Sequence, residues 1–269
     1  MFTLDINPIL ATLGPFQIRY YGIVYLFGFL LSLIFLLRAR KKGKINLTDD
    51  NIYSLIFYGM IGVLVGARIF HVIFWNINYY LSRPIEILYI WQGGLSFHGG
   101  LLGAAIAFYL YSKKHKLNLA QLADIVTIPV IFILALGRIA NFINQEIIGT
   151  ITNVPWCIKF LRSIDPINCR HPVQLYAALG RLLALLVLIK LPKPKKDGFI
   201  FWMFLIMISI GRFFLDFLRE DTIYLNLSAG QWLSIVSFII GLSALLKYYK
   251  EDLRSLISLK VFQKGSKAD

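Results

Sequence analysis

Long apolar blocks alternate with short polar or charged segments along the whole chain. A bilayer core requires about 20 consecutive, mostly apolar residues per helix. Blocks of this kind predict about seven transmembrane helices, at residues 18–37, 52–75, 96–112, 125–143, 173–190, 198–217 and 230–247. The chain shows no internal repeat, so we expect an all-α, polytopic membrane protein with a single domain over residues 1–250 and a cytoplasmic tail over 251–269.

Composition strengthens this prediction. The chain is 58% hydrophobic and 15% aromatic, and only 16% of its residues are charged. Soluble domains carry about 25% charged residues, and disordered chains have low hydrophobicity. A soluble globular domain and a disordered chain are therefore both excluded.

Positive charge follows the pattern of membrane topology. The net charge is +14, but Lys and Arg are concentrated in short blocks between apolar runs, so nucleic acid is not an expected partner. With Arg19, Lys190 and Lys247 at the span ends counted with the adjacent loops, the loops after the first, third, fifth and seventh spans hold 18 Lys and Arg residues, whereas the other side holds six. The positive-inside rule then places the N-terminus outside and the C-terminus in the cytoplasm. The N-terminal segment lacks a basic cluster before its apolar run, so we expect no cleavable signal peptide.

Several ionisable side chains fall within or beside the apolar spans, where they are costly and commonly functional. They are Arg68, His98, Arg138, Arg181, Arg212 and Asp216, with Asn141, Asn144 and Glu146 after Arg138. In the predicted topology, Arg68, Arg138 and Arg212 each lie roughly 20 to 24 Å from the cytoplasmic end of their span. His98, Tyr20 and Tyr21 reach the same level, in the outer half of the membrane.

Helical spacing places some of these polar groups together. Arg138, Asn141 and Gln145 share one helix face, and Arg212, Asp216 and Arg219 share another. Guanidinium groups grip a phosphate with a planar fork of donors that lysine lacks. The pattern therefore predicts a phosphate-binding site near the outer headgroup level.

Structural roles remain open for the same residues. Arg212 with Asp216, or Arg138 with Glu146, could form ion pairs that simply neutralise both partners. Arg68 and Arg181 are better explained by snorkelling or by pairing with loop carboxylates. The tyrosines could be residues of an interfacial belt. Asp124 is expected to cap the fourth span. The glycines around His98 permit close approach of a ligand or of a neighbouring helix.

Both cysteines, Cys157 and Cys169, lie in the longest predicted outside segment, about residues 147–170. An oxidising compartment permits a disulfide there, but two free thiols remain the alternative.

Six sequence strings resemble the bacterial prolipoprotein diacylglyceryl transferases over nearly the whole chain. They are YYGIVY, GARIF, GGLSFHGGLLG, GRIANFINQEIIG, RHPVQLY and GRFFLDFLRE. The resemblance implies an enzyme of the bacterial inner membrane, with its active site toward the outer leaflet. Such an enzyme transfers a diacylglyceryl group from phosphatidylglycerol to the lipobox cysteine of a prolipoprotein signal peptide, releasing glycerol 1-phosphate.

Matched residue by residue, the resemblance points to a set of site positions. The essential residues of the family fall on Tyr21, His98, Arg138, Asn141, Glu146, Gly149 and Arg212. Three positions depart from its pattern: Ala140 replaces a usual glycine, Asp216 a usual glutamate, and Ala177 a glutamate that many members carry. The last change puts any role of that carboxylate in doubt here.

The residues and the resemblance agree on chemistry. A thiol must lose its proton before it attacks carbon, and His98 has a suitable unperturbed pKa for the base. Arg138 and Arg212 are predicted to stabilise charge on the leaving phosphate. Asn141, Glu146 and Asp216 would orient these guanidiniums, and Tyr21 would bind the headgroup. No metal or organic cofactor is expected, because the four histidines show no ligand spacing.

Two other classes of protein remain as alternatives. Intramembrane arginines facing a cavity would also suit a transporter or flippase for anionic lipids, although that class tends to show repeated halves and midplane sites. A non-catalytic membrane scaffold would leave the arginines, His98 and the glycine cluster without a role.

Overall fold

The computed structural model describes residues 2–14 and 16–256. Its helices are α1 (Tyr20–Lys41), α2 (Asp49–Trp75), α3 (Ile77–Ser82), α4 (Phe97–Lys114), α5 (Leu119–Ile143), α6 (Val173–Lys190), α7 (Phe199–Leu215) and α8 (Ala229–Tyr248). Its short strands are β1 (Phe2–Leu4), β2 (Ile9–Leu13), β3 (Phe16–Arg19), β4 (Ile158–Phe160), β5 (Ile223–Tyr224) and β6 (Leu227–Ser228). Of the predicted tail, residues 251–256 are helical and residues 257–269 lie outside the described part of the chain.

Six helices within the described ranges are long and apolar enough to cross a membrane, namely α1, α2, α5, α6, α7 and α8. The predicted all-α, multi-pass membrane fold is therefore confirmed. The predicted span 96–112 does form a helix, α4, but α4 is not one of the six. Its 18 residues include His98, Lys113 and Lys114, which reduce its apolar character.

Side-chain hydrogen bonds fix several helix starts. Thr48 caps α2 by accepting a hydrogen bond from the Asn51 backbone N–H at 3.2 Å. At the start of α8, Ser228 and Gln231 form a capping box in which each side chain accepts from the backbone of the other.

The prediction that Asp124 caps the fourth span is wrong. The helix α5 begins earlier, at Leu119, and Asp124 lies within it, buried. Its carboxylate accepts hydrogen bonds from the backbone N–H groups of Gly198, at 2.7 Å, and Phe201, at 2.9 Å. The negative charge thus satisfies free donors at the positive N-terminal end of α7, a different helix.

The described chain packs as two compact units, and the first comprises residues 29–122. Its core is the close contact of α2 with α4, made possible by glycines on both helices. A Cβ atom at Gly66 or Gly103 would overlap backbone atoms of the facing helix. Small residues at such positions let two helix backbones approach closely. The glycines near His98 therefore include a helix-packing face.

Arg68 has the structural role that the sequence favoured. It is buried on α2, and its guanidinium donates to the backbone carbonyls of Glu86, Ile87, Gly93 and Gly94 at 2.6 to 3.1 Å. Gly93 and Gly94 have φ values of 91° and 72°, which glycine adopts readily. These glycines let the backbone turn around the guanidinium, whose charge is met by carbonyl dipoles.

The second unit comprises the described parts of residues 1–28 and 123–269. Its helices α6, α7 and α8 pack in sequence, and Ile131, Ala184 and Leu188 form part of its buried core. The strand β1 pairs in parallel with β4, while β2–β3 and β5–β6 are antiparallel hairpins. The loop between α5 and α6 is closed by a disulfide between Cys157 and Cys169, which settles the alternative left open by the sequence.

Candidate active site

A chain of hydrogen bonds joins α1 to the end of α5 in the second unit. The Asn141 amide donates to the Tyr21 hydroxyl at 2.6 Å and to the Glu146 carboxylate at 2.7 Å. The Asn141 carbonyl accepts from the Arg138 guanidinium at 3.2 Å. All the hydrogen-bonding groups of this buried amide are engaged, so Asn141 fixes three neighbours relative to one another.

The helix α5 ends at Ile143, and this end determines which side chains face the site. Gln145 and Ile147 both have a φ of 56°, so the backbone leaves the helical path. The expectation that Gln145 shares a face with Arg138 and Asn141 is therefore wrong. The Gln145 side chain instead accepts a hydrogen bond from the Arg162 backbone N–H at 2.7 Å.

The same break brings Glu146 to Asn141. At 3.6 residues per turn, an unbroken helix would place Glu146 about 140° around the helix axis from Asn141. Asn141 stands between Arg138 and Glu146, and the described residues show no direct ion pair between those two. Arg138 is thus oriented by a neutral amide and keeps its charge available.

A second polar cluster lies at the end of α7. The Asp216 carboxylate is buried, and it accepts a hydrogen bond from Arg219 at 3.1 Å and from the Ser228 hydroxyl at 3.3 Å. Arg212 forms the ion pair with Asp216 that the sequence left open, with its Nε 3.6 Å from the same carboxylate. The hydrogen bonds of Asp216 come from Arg219 and Ser228, so Arg212 is not the sole counter-charge of this carboxylate.

Gly230, in the first turn of α8, is a site residue that sequence reasoning missed. A Cβ atom there would overlap the Asp216 carboxylate and approach the Arg212 guanidinium to within 2.9 Å. The absence of a side chain lets α8 pack directly on this pair. Its signal in the sequence, one glycine among 20, was too weak to identify it.

Arg138 of the first cluster and the arginines and carboxylate of the second line one cavity. Four arginines line it, namely Arg138, Arg181, Arg212 and Arg219, along with Asp216 and Gln174. The sequence favoured a structural role for Arg181, but its side chain lies at the cavity. One of its nitrogens donates to the Ala177 carbonyl at 2.8 Å, while its Nε is buried with no hydrogen-bond partner among the described residues.

Two buried donors of the cavity lining form no hydrogen bond. The Arg181 Nε has no hydrogen-bond partner among the described residues, whereas the Arg212 Nε, which also forms no hydrogen bond, lies 3.6 Å from the Asp216 carboxylate in an ion pair. Leaving such a group unpaired costs roughly 1 to 3 kcal/mol, and more when it is charged. Four guanidiniums against one carboxylate give the cavity lining an excess of positive charge. These features suit an anionic ligand with several acceptor oxygens.

Gly149, in the loop after α5, contacts two neighbouring backbone segments. It forms a β-bridge with Arg219, and its N–H donates to the His171 carbonyl at 3.2 Å. A Cβ atom at Gly149 would lie 2.5 Å from that carbonyl oxygen. Gly149 therefore allows a close backbone approach to His171 while its β-bridge holds the segment that carries Arg219.

Arg170 ties the disulfide-closed loop to this backbone. It is buried, and its guanidinium donates to the Gly149 carbonyl at 2.9 Å and pairs with Asp165 and Glu220. Hydrogen bonds from Arg170 and Asn168 hold the pKa of Asp165 below its usual value. Asp165 therefore stays charged at neutral pH and keeps the Arg170 guanidinium in place.

His98, the predicted base, belongs to the other unit, in residues 29–122. It lies in the first turn of α4, where Ser96 is the N-cap, and its imidazole is exposed. The His98 imidazole makes an edge-to-face contact with the Phe97 ring, with 5.8 Å between the ring centroids.

Fold and cavity together define an α-helical, multi-pass membrane protein with an arginine-lined cavity. The model of the prolipoprotein diacylglyceryl transferase family matches residues 8–247. A phosphatidylglycerol–prolipoprotein diacylglyceryl transferase of Geobacter sulfurreducens is 37% identical over 245 residues, covering 88% of this chain and 94% of that protein. One of the same name from Nitrosomonas europaea is 39% identical, with 91% of each chain covered. The chain therefore belongs to the prolipoprotein diacylglyceryl transferase family and is a transferase.

Proposed function

We propose that the chain transfers the diacylglyceryl group of phosphatidylglycerol to the lipobox cysteine thiol in the signal peptide of a prolipoprotein. The glyceryl carbon forms a bond to sulfur as its bond to the phosphate oxygen breaks. The electron pair stays on that oxygen, which leaves as part of glycerol 1-phosphate, and the thiol proton passes to a base. The observation that carries this proposal is the cavity lined by four guanidiniums in a member of this family.

The cavity supports this chemistry through its charge. Phosphatidylglycerol carries one negative charge, and attack by a thiolate adds a second to the reacting system. The excess of guanidiniums over carboxylates in the lining favours that transition state over the monoanionic lipid alone. Arg138 and Arg212 would contact the leaving phosphate, while Tyr21, Asn141, Glu146 and Asp216 would hold the headgroup and the arginines in place.

The site is proposed to face the outer leaflet of the bacterial inner membrane. Support comes from the distribution of Lys and Arg, 18 against six on the two sides, which favours an outside N-terminus. With that orientation, and with α4 crossing the membrane as the sequence pattern predicts, the ends of α5 and α7 that carry Arg138 and Arg212 lie toward the outside. A lipobox cysteine just beyond a signal-peptide helix would reach the same level.

The experiment for this function uses the purified protein in liposomes of phosphatidylglycerol, with a synthetic lipobox peptide. We expect the peptide mass to increase by one diacylglyceryl group. A matched peptide with serine in place of the cysteine should stay unmodified, because its hydroxyl is a far weaker nucleophile. Lipid movement between leaflets without peptide modification would instead support the flippase alternative.

His98 is the proposed base, and its replacement gives a separate prediction. We expect His98→Gln to lower kcat at neutral pH by about 100-fold or more, a typical loss for a general base. His115→Gln, at the C-cap of α4, serves as the matched control and should retain activity. Near-normal turnover of His98→Gln between pH 6 and 8 would show that another group accepts the proton.

A further inference from the structure

Gln174 is a buried residue of the cavity that the proposed reaction leaves unused. It lies in the first turn of α6, and only 1% of the residue is exposed. Its Nε2 donates to the Glu146 backbone carbonyl at 2.8 Å. Since a carbonyl can only accept, this bond fixes the orientation of the amide and assigns the other atom as oxygen.

The Gln174 Oε1 is a buried acceptor that has no hydrogen-bond partner among the described residues. The arginines lining the cavity offer only donors. The one carboxylate in the lining, Asp216, already accepts from Arg219 and Ser228. In the described lining, Gln174 thus provides an uncommitted acceptor among groups that bind negative charge.

A ligand that satisfies both features needs a phosphate and, beside it, a hydrogen-bond donor. The phosphodiester of a lipid carries no proton at neutral pH and cannot donate to Gln174. An ammonium headgroup could donate, but the surrounding guanidiniums repel a second positive charge. A hydroxyl group is neutral and can donate, and the glycerol headgroup of phosphatidylglycerol has two.

We propose that the Gln174 Oε1 accepts a hydrogen bond from a headgroup hydroxyl of the donor lipid and selects a hydroxylated headgroup. This inference rests on the proposed function, because it concerns the lipid consumed in that reaction. Gln174 acts on specificity: a donor lipid without the hydroxyl leaves the buried oxygen unpaired. Sites built to hydrogen-bond a substrate hydroxyl discriminate strongly against the analogue that lacks it.

The test compares two donor lipids with the same acyl chains, phosphatidylglycerol and phosphatidylmethanol. Both are monoanionic phosphodiesters, and only the first has headgroup hydroxyls. For the wild type, we expect kcat/KM for peptide lipidation to be at least about 10-fold higher with phosphatidylglycerol. For Gln174→Leu, we expect the ratio of the two values to fall to within about threefold of unity.

Gln145→Leu is the matched control, because it removes another buried amide that does not line the cavity. It should keep the wild-type ratio even if its activity falls. A merely structural role of Gln174 would lower both values equally and preserve the ratio, which would overturn the inference. If Gln174→Leu fails to fold, the wild-type measurement still tests the inference. Equal kcat/KM values of the wild type with the two lipids would contradict selection of a hydroxylated headgroup.

The outcomes also separate this inference from the proposed function. Lipidation from both lipids at equal rates would overturn the role of Gln174 and leave the transferase intact. If folded wild-type protein lipidated the peptide with neither lipid, the proposed function would be overturned and, with it, the role of Gln174.

Discussion

Replacing Arg138 by alanine is expected to lower kcat for peptide lipidation by at least about 100-fold. Loss of one preorganised donor to a developing oxyanion typically costs about 10²- to 10³-fold in kcat, or roughly 3 to 4 kcal/mol. Arg138 lines the cavity and is aligned by Asn141 at 3.2 Å. The rate is measured with the purified variant at saturating phosphatidylglycerol, after gel filtration has shown that it folds.

Arg138→Lys keeps the charge but loses the planar fork, so its activity should fall between those of wild type and Arg138→Ala. Lys190→Ala removes an exposed cation from the last turn of α6 and should leave kcat within about twofold of wild type. If Arg138→Ala remained folded and nearly as active as Lys190→Ala, the phosphate-binding role of Arg138 would be wrong.

Gly230→Ala is expected to reduce activity by about 10- to 100-fold, although position 230 offers no chemistry of its own. The added methyl group would overlap the Asp216 carboxylate and press on Arg212. Either α8 or the Asp216–Arg212 pair must then move. Displacements of about 1 Å at a catalytic group can cost 100-fold in rate.

Gly211→Ala provides the control for this substitution. Gly211 precedes Arg212 in α7, and a Cβ atom there would meet no heavy atom within 4 Å. Alanine in a helix interior is more favourable than glycine by roughly 0.5 to 1 kcal/mol, so this variant should be at least as stable as wild type. Equal kcat values for Gly230→Ala and Gly211→Ala would show that the contact of α8 with Asp216 has no bearing on catalysis.

Apolar runs predict the membrane helices because the bilayer imposes both their length and their composition. The start of α5 was misplaced because a charged residue, Asp124, looked like a boundary. Its carboxylate is used by the N-terminus of α7, 74 residues later. The partner of a buried charge depends on packing between helices, which hydropathy along the chain does not contain.

The sequence likewise predicts some contacts of the candidate site and misses those that depend on tertiary packing. Arg138 and Asn141 lie three residues apart on one helix, so their contact follows from helical geometry. Gln145 fails the same rule because α5 ends before it. Arg181 and Gln174 lie on α6 and Gly230 lies on α8, so only the tertiary packing of these helices identifies the three residues with the site. The disulfide likewise depends on the distance between Cys157 and Cys169, 5.5 Å between Cα atoms, which spacing in the sequence cannot give.

The decisive measurement quantifies lipidated peptide and glycerol 1-phosphate in the same reaction, for wild type and for folded Arg138→Ala in phosphatidylglycerol liposomes. Transfer with phosphate as the leaving group predicts one glycerol 1-phosphate for each lipidated peptide, and a parallel loss of both products in Arg138→Ala. Lipid movement by wild type without either product, or lipidation that persists in Arg138→Ala at the wild-type rate, would contradict an arginine-lined transferase site.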